Sequence, residues 1–123
     1  MKCPYCQTEV TLVTGQRIYP RSRKFWNLAF HLCERCGAYA PPGRTLANEE
    51  LRRLRGTAHF FFDRIWKEGL KKRGACYAEL RERFGLSAEE GHIGSAREDM
   101  CRKIIVFAQE WYKELTSEQT TRS

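Results

Sequence analysis

The first third of the chain carries short alternations of polar and apolar residues that are typical of β-strands. Residues 9–13 alternate in this way and predict a strand, Thr14-Gly15 predicts a turn, and residues 16–19 predict a second strand. Residues 20–24 contain one proline and three basic side chains and predict a loop, and the aromatic-rich residues 25–32 predict a third strand. We therefore expect a small antiparallel sheet in this part of the chain.

After residue 48 the apolar residues recur with the period of a helix. Asn48 is a favourable N-cap residue, and Glu49 and Glu50 place negative charge in the first turn, where the helix dipole stabilises it. The pattern predicts a helix over residues 49–68 with one apolar stripe. The stripe consists of Leu51, Leu54, Ala58, Phe61, Phe62, Ile65 and Trp66.

Further helices are predicted in the last third of the chain. Residues 75–84 predict a helix that ends at Gly85, a residue type that favours the left-handed conformation after a last helical turn. Residues 87–90 (Ser-Ala-Glu-Glu) have the form of a capping box and predict a short helix. Residues 95–98 (Ser-Ala-Arg-Glu) have the same form and predict the start of a long helix that ends near Leu115.

The composition limits the class of protein. Of the 123 residues, 41% are hydrophobic and 30% are charged, which is typical of a globular chain and excludes a fibre or a wholly disordered protein. No apolar run approaches the roughly 20 residues of a membrane-spanning helix, so we expect no membrane partner. The first residues lack the apolar segment of a secretion signal, so we expect the chain to act in a reducing, cytoplasmic compartment.

Four of the six cysteines occur in two pairs with the same spacing. Cys3 and Cys6 form the first Cys-x2-Cys pair, and Cys33 and Cys36 form the second. Two such turns joined by a hairpin place four thiolates at the corners of a tetrahedron around Zn²⁺. Four thiolates leave no position for water, so the sequence predicts one zinc ion with a structural role.

The alternatives to zinc binding are disulfide bonds and a redox-active cysteine pair, and the sequence disfavours both. Disulfides would not persist in a reducing compartment. A thioredoxin-like redox pair would lie near a βαβ pattern, and the sequence shows none. Gly37 directly follows the second pair and suits its tight turn, whereas Gln7 stands at the corresponding position of the first.

These observations together predict an α+β fold with two regions. Residues 1–44 are expected to form a four-Cys zinc ribbon, and residues 40–47 a linker rich in proline and glycine. Residues 45–115 are expected to form three or four helices that pack against the ribbon as one unit, because so small a sheet buries too little apolar surface alone. Residues 116–123 lack apolar anchors and are expected to form a flexible tail.

The positive charge is concentrated towards the N-terminus. The chain has a formal net charge of +7. Residues 1–44 contain seven Lys and Arg residues but only two carboxylates, whereas residues 45–123 contain 15 basic and 13 acidic residues. Such an asymmetry is typical of a chain whose basic part faces an anionic partner, and nucleic acid is the commonest one. The alternative is a solvated surface that only maintains solubility.

Residues 17–26 interleave four cations with three aromatic residues. Cations neutralise phosphates, and exposed aromatic rings stack on unpaired bases, so a hairpin here is predicted to contact nucleic acid. In the alternative, the aromatic residues pack in the interior and the cations are merely solvated. The candidate nucleic-acid-binding residues are Arg17, Arg21, Arg23, Lys24 and Trp26.

A candidate second site comprises His59, His92 and Cys101, which could hold a metal or form a Cys–His nucleophilic pair. In the alternative, Cys101 is a small core residue and His92 shapes a turn, because an unpaired cysteine is among the most buried residue types. Phe60 lies opposite the apolar stripe of the first long helix. We expect neighbouring helices to bury it, and the alternative is a patch for a protein partner or a homodimer.

Several segments resemble a small zinc-finger-containing family that is found in bacteriophages and bacterial genomes. The resemblance covers residues 1–108. It rests on CPYC, CxxCGAY, TLANEELRRLRGTAHFFFDRIW and YAELRERFGLSAEEGHIGSAREDMC. It supports the four zinc ligands and implies a phage or prophage accessory protein that acts in the bacterial cytoplasm. It supplies no catalytic residues and no substrate.

The sequence therefore favours a non-enzymatic zinc-ribbon protein that contacts nucleic acid through the basic and aromatic hairpin. The alternative is an accessory or anti-defence protein that binds and modulates a host protein or nucleoprotein complex. A third hypothesis is a hydrolase that uses Cys and His residues or a second metal, together with Asp63, although no recognisable catalytic motif supports it.

Overall fold

A computed structural model of the chain describes residues 1–88, 91–93 and 96–122, with side chains described as far as residue 117. The chain divides into two compact units, Met1–Arg52 and Arg53–Ser123. Within the described parts of the chain, no helix has both the length and the apolar character needed to cross a membrane.

The first unit contains a three-stranded antiparallel sheet. The strands are β1 (Thr11–Thr14), β2 (Ala29–Leu32) and β3 (Tyr39–Ala40), and β2 lies in the middle. Leu32 is opposite Thr11 on one side and opposite Tyr39 on the other. The sheet and the helices that follow it confirm the α+β fold class.

The connection between β1 and β2 differs from the prediction. Residues 16–19 were expected to form a strand, but Gly15–Ile18 form one helical turn, α1, and Arg23–Phe25 form a 3-10 turn. Of the strand predicted over residues 25–32, only the last four residues are extended. The N–H of Gly15 donates to the Leu28 carbonyl at 2.8 Å, which closes the connection where the hairpin was expected to continue.

An aromatic cluster explains why this connection folds inward. The Tyr19 ring lies 4.9 Å from the Phe25 ring, 5.9 Å from the Phe30 ring and 5.7 Å from the Tyr39 ring, measured between centroids. The Tyr19 and Tyr39 hydroxyls share a hydrogen bond of 2.7 Å. A helical turn after Gly15 brings Tyr19 to this cluster, so packing between residues distant in sequence overrides the local strand pattern.

The segment predicted as a linker folds back onto the ribbon. Tyr39 and Ala47 form an isolated β-bridge, in which the N–H of each donates to the carbonyl of the other at 3.1 and 3.0 Å. Leu46 is fully buried and joins a small core made with Cys3, Cys33, Ala38 and Ala40. The first compact unit therefore includes this segment and extends beyond residue 44.

The first long helix begins as its sequence predicts. Helix α2 spans Glu49–Lys67, and the N–H of Leu51 donates to the side-chain oxygen of Asn48 at 2.9 Å. This bond satisfies one of the amides that have no partner in the first turn of a helix, and it confirms Asn48 as the N-cap.

Two more helices follow in the second unit. Helix α3 spans Arg73–Phe84, and Gly85 ends it in the left-handed conformation with φ of 63°, as predicted. Helix α4 spans Glu98–Arg122 and so continues well past the predicted end near Leu115. Both predicted capping boxes include residues outside the described part of the chain, Glu89 and Glu90 in the first and Ser95 in the second. Gly94, two residues after His92, also lies outside it.

Aromatic side chains join α3 to α2 and α3 to α4 in the second unit. Phe62 of α2 packs against Tyr77 of α3 at 5.0 Å, and Phe84 of α3 packs edge-on against Phe107 of α4 at 5.7 Å. Phe60 does not take part in this core, because 66% of its surface is exposed. The expectation that neighbouring helices bury Phe60 is wrong, since the core of this unit forms on the opposite face of α2.

Candidate metal centre

The two cysteine pairs converge at one point of the ribbon. The sulfurs of Cys3, Cys6, Cys33 and Cys36 all lie within 4.8 Å of one another, and the sulfurs of Cys6 and Cys33 are 3.6 Å apart. Four sulfurs placed about 2.3 Å from a central zinc ion stand about 3.8 Å from one another. The four thiols therefore fit a tetrahedral zinc site, as the spacing predicts.

The first pair lies in a tight turn whose backbone is fixed at both ends. The Cys3 N–H donates to the Thr8 carbonyl at 2.8 Å, and the Gln7 N–H donates to the Cys3 carbonyl at 2.9 Å. The Tyr5 N–H lies 3.4 Å from the Cys3 sulfur and donates to it. Such amide donors stabilise negative charge on a ligand sulfur, because the thiolate is the form that binds metal.

The second pair repeats this arrangement. The Cys33 N–H donates to the Ala38 carbonyl at 2.8 Å, and the Gly37 N–H donates to the Cys33 carbonyl at 2.8 Å. The Cys36 N–H donates to the Cys33 sulfur at 3.4 Å. The two turns share the same pair of backbone bonds, but the amide that donates to the first sulfur lies two residues on in the first turn and three residues on in the second.

Burial and proton affinity differ among the four ligands. Cys3 and Cys33 are fully buried, whereas Cys36 is exposed. Hydrogen bonds from Thr8 and then from Cys36 lower the pKa of the Cys6 thiol to about 6. The hydrogen bond with Cys6 raises the pKa of Cys36 to about 12. The Cys6 thiol therefore loses its proton more readily than the Cys36 thiol, and zinc binding would displace the proton of Cys36.

The arrangement supports a structural role for the metal. Four cysteines complete the tetrahedral shell of zinc and leave no position for a reacting water. When bound, zinc would cross-link the two turns of a sheet too small to be stable alone. The six cysteines of the chain are all free of disulfide bonds.

The residues of the candidate second site are not gathered into a metal-binding group. In the described residues, the four ribbon cysteines form the only group of three or more Cys, His or acidic side chains close enough to share a metal. The His59 ring nitrogen lies 3.4 Å from Asp63, and the exposed His92 ring lies 6.2 Å from the Tyr77 ring. The buried Cys101 thiol lies 3.8 Å from the Ala96 carbonyl.

The two cysteines outside the ribbon have the properties of core residues. Cys76 and Cys101 are both fully buried. Burial raises the pKa of the Cys76 thiol and of the Cys101 thiol; the Asp63 carboxylate adds to the effect at Cys76, whereas the Arg55 guanidinium partly opposes it at Cys101. A thiol that keeps its proton at neutral pH is a poor nucleophile and a poor metal ligand.

The cations of the basic and aromatic segment make two kinds of contact, an ion pair and contacts with aromatic rings. The Arg17 guanidinium forms an exposed ion pair of 2.6 Å with Glu34. The Arg23 guanidinium lies over the Trp26 ring at 5.5 Å, and the Lys24 ammonium lies over the Phe25 ring at 4.9 Å. The Trp26 ring N–H donates to the Tyr19 carbonyl at 3.2 Å, so this ring is anchored to the connection it belongs to.

Two residues that support the ribbon carry no signal in the sequence that identifies them. Arg52 donates to the Ala47 carbonyl at 2.6 Å and lies 4.2 Å above the Tyr39 ring, so it ties the start of α2 to strand β3. The Tyr5 hydroxyl, inside the first cysteine pair, accepts a hydrogen bond of 3.4 Å from the Asn48 N–H. A basic residue in a first helical turn would ordinarily be assigned to solvent.

Comparison with known proteins agrees with the metal centre. No curated protein matches the chain, and no solved structure matches it. The model of one family does match, over residues 1–111, and that family is described as a zinc-finger-containing domain. The match includes all four cysteines, the whole first unit and residues 53–111 of the second unit. This chain therefore belongs to that family of zinc-finger-containing domains.

Proposed function

We propose that the first unit of this zinc-binding protein contacts the phosphate backbone of nucleic acid through three cations of one loop, in the bacterial cytoplasm. The observation that carries this proposal is the state of Arg21, Arg23 and Lys24. All three are exposed, and they form no ion pair with any described residue. Residues 10–33 contain no carboxylate, so the loop presents uncompensated positive charge.

The position of the aromatic rings favours phosphate contact over base stacking. The Arg23 and Lys24 side chains lie over the Trp26 and Phe25 rings, and both rings are half-buried. Rings covered in this way offer little free surface to a base. A cation held over a ring is already partly ordered, so it loses less side-chain entropy when it binds a phosphate. Arg17 contributes less, because Glu34 neutralises it.

Zinc serves this function indirectly. The loop lies between Cys6 and Cys33, and strand β2 leads directly from it into the second cysteine pair. When bound, the metal would fix both ends of the segment that carries the three cations. We therefore expect binding of nucleic acid to require the zinc-loaded protein.

The test is a salt titration of the zinc-loaded protein with labelled duplex and single-stranded probes, followed by fluorescence anisotropy. Neutralising three phosphates predicts that log K falls with log salt at a slope of about −3 for a duplex and about −2 for a single strand. Changing Arg21, Arg23 and Lys24 together to Glu should abolish binding.

A matched control changes the same amount of charge elsewhere. Lys71, Lys72 and Lys113 are exposed in the second unit, and changing all three to Glu should leave the affinity within about twofold. Equal loss in both triple variants would assign the effect to net charge and contradict the loop assignment. Intact binding in the loop variant would also contradict it.

A second candidate function is binding to a protein of the bacterial host, and Phe60 favours it. Its ring is 66% exposed and packs edge-on against Phe61 at 5.2 Å, which forms an apolar projection on α2. Affinity capture from nuclease-treated host lysate should yield a stoichiometric protein that Phe60→Glu loses and Phe60→Leu keeps. Sedimentation of both variants distinguishes a host partner from a homodimer, because only a homodimer would dissociate in Phe60→Glu alone.

A further inference from the structure

An open groove runs between helices α3 and α4 of the second unit. Its volume is about 370 Å³. That volume is at the small end of the range for ligand sites, which is about 300–1,000 Å³, so it suits a single anchoring side chain better than a large ligand. The groove is lined by Arg83, Phe84, Arg102, Lys103, Val106, Phe107 and Glu110.

The floor of the groove is apolar and rigid. Phe84 and Phe107 meet edge-on at 5.7 Å, and Phe107 stacks on Trp111 at 5.3 Å. Phe107 is 6% exposed, whereas Val106 beside it is 54% exposed. A half-exposed valine next to a fixed aromatic pair offers surface that an apolar side chain would cover with a gain in free energy.

The rim of the groove is basic. Arg83 and Lys103 stand on opposite helices, and the Arg83 guanidinium lies 5.2 Å above the Phe107 ring. Arg102 also lines the rim and pairs with the highly exposed Asp99 at 3.5 Å. Glu110 is the one carboxylate of the lining. An apolar floor with three cations and one acid around it is complementary to an anionic, amphipathic occupant.

We propose that this groove docks an acidic peptide segment of a protein partner. One large apolar side chain of the segment covers Val106 and Phe107, and carboxylates beside it pair with Arg83 and Lys103. The charge complementarity decides for an acidic segment, since the cations of the rim would repel a basic segment, and a nucleic acid of the kind proposed for the ribbon would leave the apolar floor unused. The proposal is independent of nucleic-acid binding, because the groove lies entirely within Arg53–Ser123.

The experiment pans a displayed library of random peptides against the full-length, zinc-loaded protein, with soluble Val106→Glu protein as competitor. Peptides that bind outside the groove are removed by the competitor. We expect the enriched peptides to share one large apolar residue flanked by Asp or Glu. Enrichment of basic or uncharged peptides, or no enrichment over the competitor, would overturn the proposal.

An enriched peptide is then measured by anisotropy against matched variants. Val106→Glu should weaken binding at least tenfold, and Lys103→Glu about threefold to tenfold. Lys113→Glu changes an exposed lysine of the same helix outside the groove and should leave binding within about twofold. Peptide affinity should survive the change of Arg21, Arg23 and Lys24 to Glu, which separates this test from that of the ribbon.

A second copy of the chain is the competing occupant. Sedimentation of the wild-type protein and of Val106→Glu decides between the two. A monomer in both cases agrees with a peptide site. A wild-type dimer that becomes a monomer in Val106→Glu would show that the groove is a self-association surface and would overturn the proposal.

Discussion

Gln7 and Gly37 occupy equivalent positions in the two cysteine turns, and both have a left-handed backbone, with φ of 63° and 72°. Each donates its N–H to the carbonyl of the first cysteine of its pair. Glycine adopts this conformation without a steric cost, whereas a residue with a Cβ is strained there by about 1–2 kcal/mol. The first turn is therefore the more strained half of the metal centre.

Replacing Gln7 with Gly should stabilise the zinc-loaded protein by about 0.5–1 kcal/mol. The change removes the backbone strain, and the greater freedom of glycine in the unfolded chain offsets only part of that gain. The converse change, Gly37→Gln, should destabilise it by a similar amount. A Cβ at Gly37 would meet no atom within 4 Å, so only backbone strain acts there. Urea unfolding at a fixed free zinc concentration measures both. Destabilisation by Gln7→Gly would refute the argument.

The four ribbon cysteines and the two core cysteines should differ in their effect on metal content. Cys33→Ser should lose the zinc and the ordered ribbon, because a buried ligand of a closed four-sulfur site is removed. Cys76→Ala and Cys101→Ala should retain one zinc per chain and lose only core packing. Elemental analysis of the purified variants checks this. A loss of zinc in Cys101→Ala would revive the second metal site.

Gly15 should tolerate no side chain. A Cβ there would overlap the Phe25 carbonyl, and the Gly15 N–H holds the Leu28 carbonyl. Gly15→Ala should therefore cost about 2 kcal/mol or more, since backbone atoms must move to admit it. Urea unfolding measured by tryptophan fluorescence reports the change, because Trp26 is anchored to the same connection.

Gly56 provides the matched control for that substitution. It lies within helix α2, and a Cβ there would meet no atom within 4 Å. Gly56→Ala should stabilise the protein by about 0.5–1 kcal/mol, because alanine loses less backbone freedom on entering a helix. If the two glycine variants had effects of the same sign, steric exclusion at Gly15 would not be the cause.

The hydroxyls of Tyr19 and Tyr39 should produce a stability change at high pH. Burial, and then the hydrogen bond that the Tyr19 hydroxyl donates to Tyr39, raise the pKa of Tyr19 to about 12, above the ordinary tyrosine value of about 10. A raised folded-state pKa contributes stability that is complete below pH 10 and is lost as the pH rises towards 12.

Carbon-13 labelling of the tyrosine rings allows this ionisation to be followed by NMR. Tyr39→Phe should lower the pKa of Tyr19, because the hydrogen-bond partner is removed while much of the burial remains. Tyr5→Phe leaves that bond intact and serves as the control. An unchanged Tyr19 pKa in Tyr39→Phe would attribute the shift to burial alone.

Residues 16–19 show why a local pattern can predict the wrong element. Alternation predicted an extended segment, but Tyr19 packs on Phe25, Phe30 and Tyr39, and the chain must turn to reach them. The contacts with Phe30 and Tyr39 join Tyr19 to strands β2 and β3 of the sheet, so they are not local. Likewise, the glycine and prolines of residues 40–47 predicted a linker, whereas Leu46 is fully buried in the ribbon core. For Phe60 the error is the reverse, because neighbouring helices were expected to bury this side chain and it is exposed.

The sequence by itself determined the four metal ligands, the start of α2 and the end of α3, because each of these depends on local rules. Cysteine spacing sets the geometry of each turn, and Asn48, Gly85 and the apolar periods mark where helices begin, end and bury a face. Only the tertiary structure decided the course of residues 15–28, the exposure of Phe60 and the groove beside Val106. Those features depend on which side chains distant in sequence pack together, and that packing cannot be predicted from the pattern of any single segment.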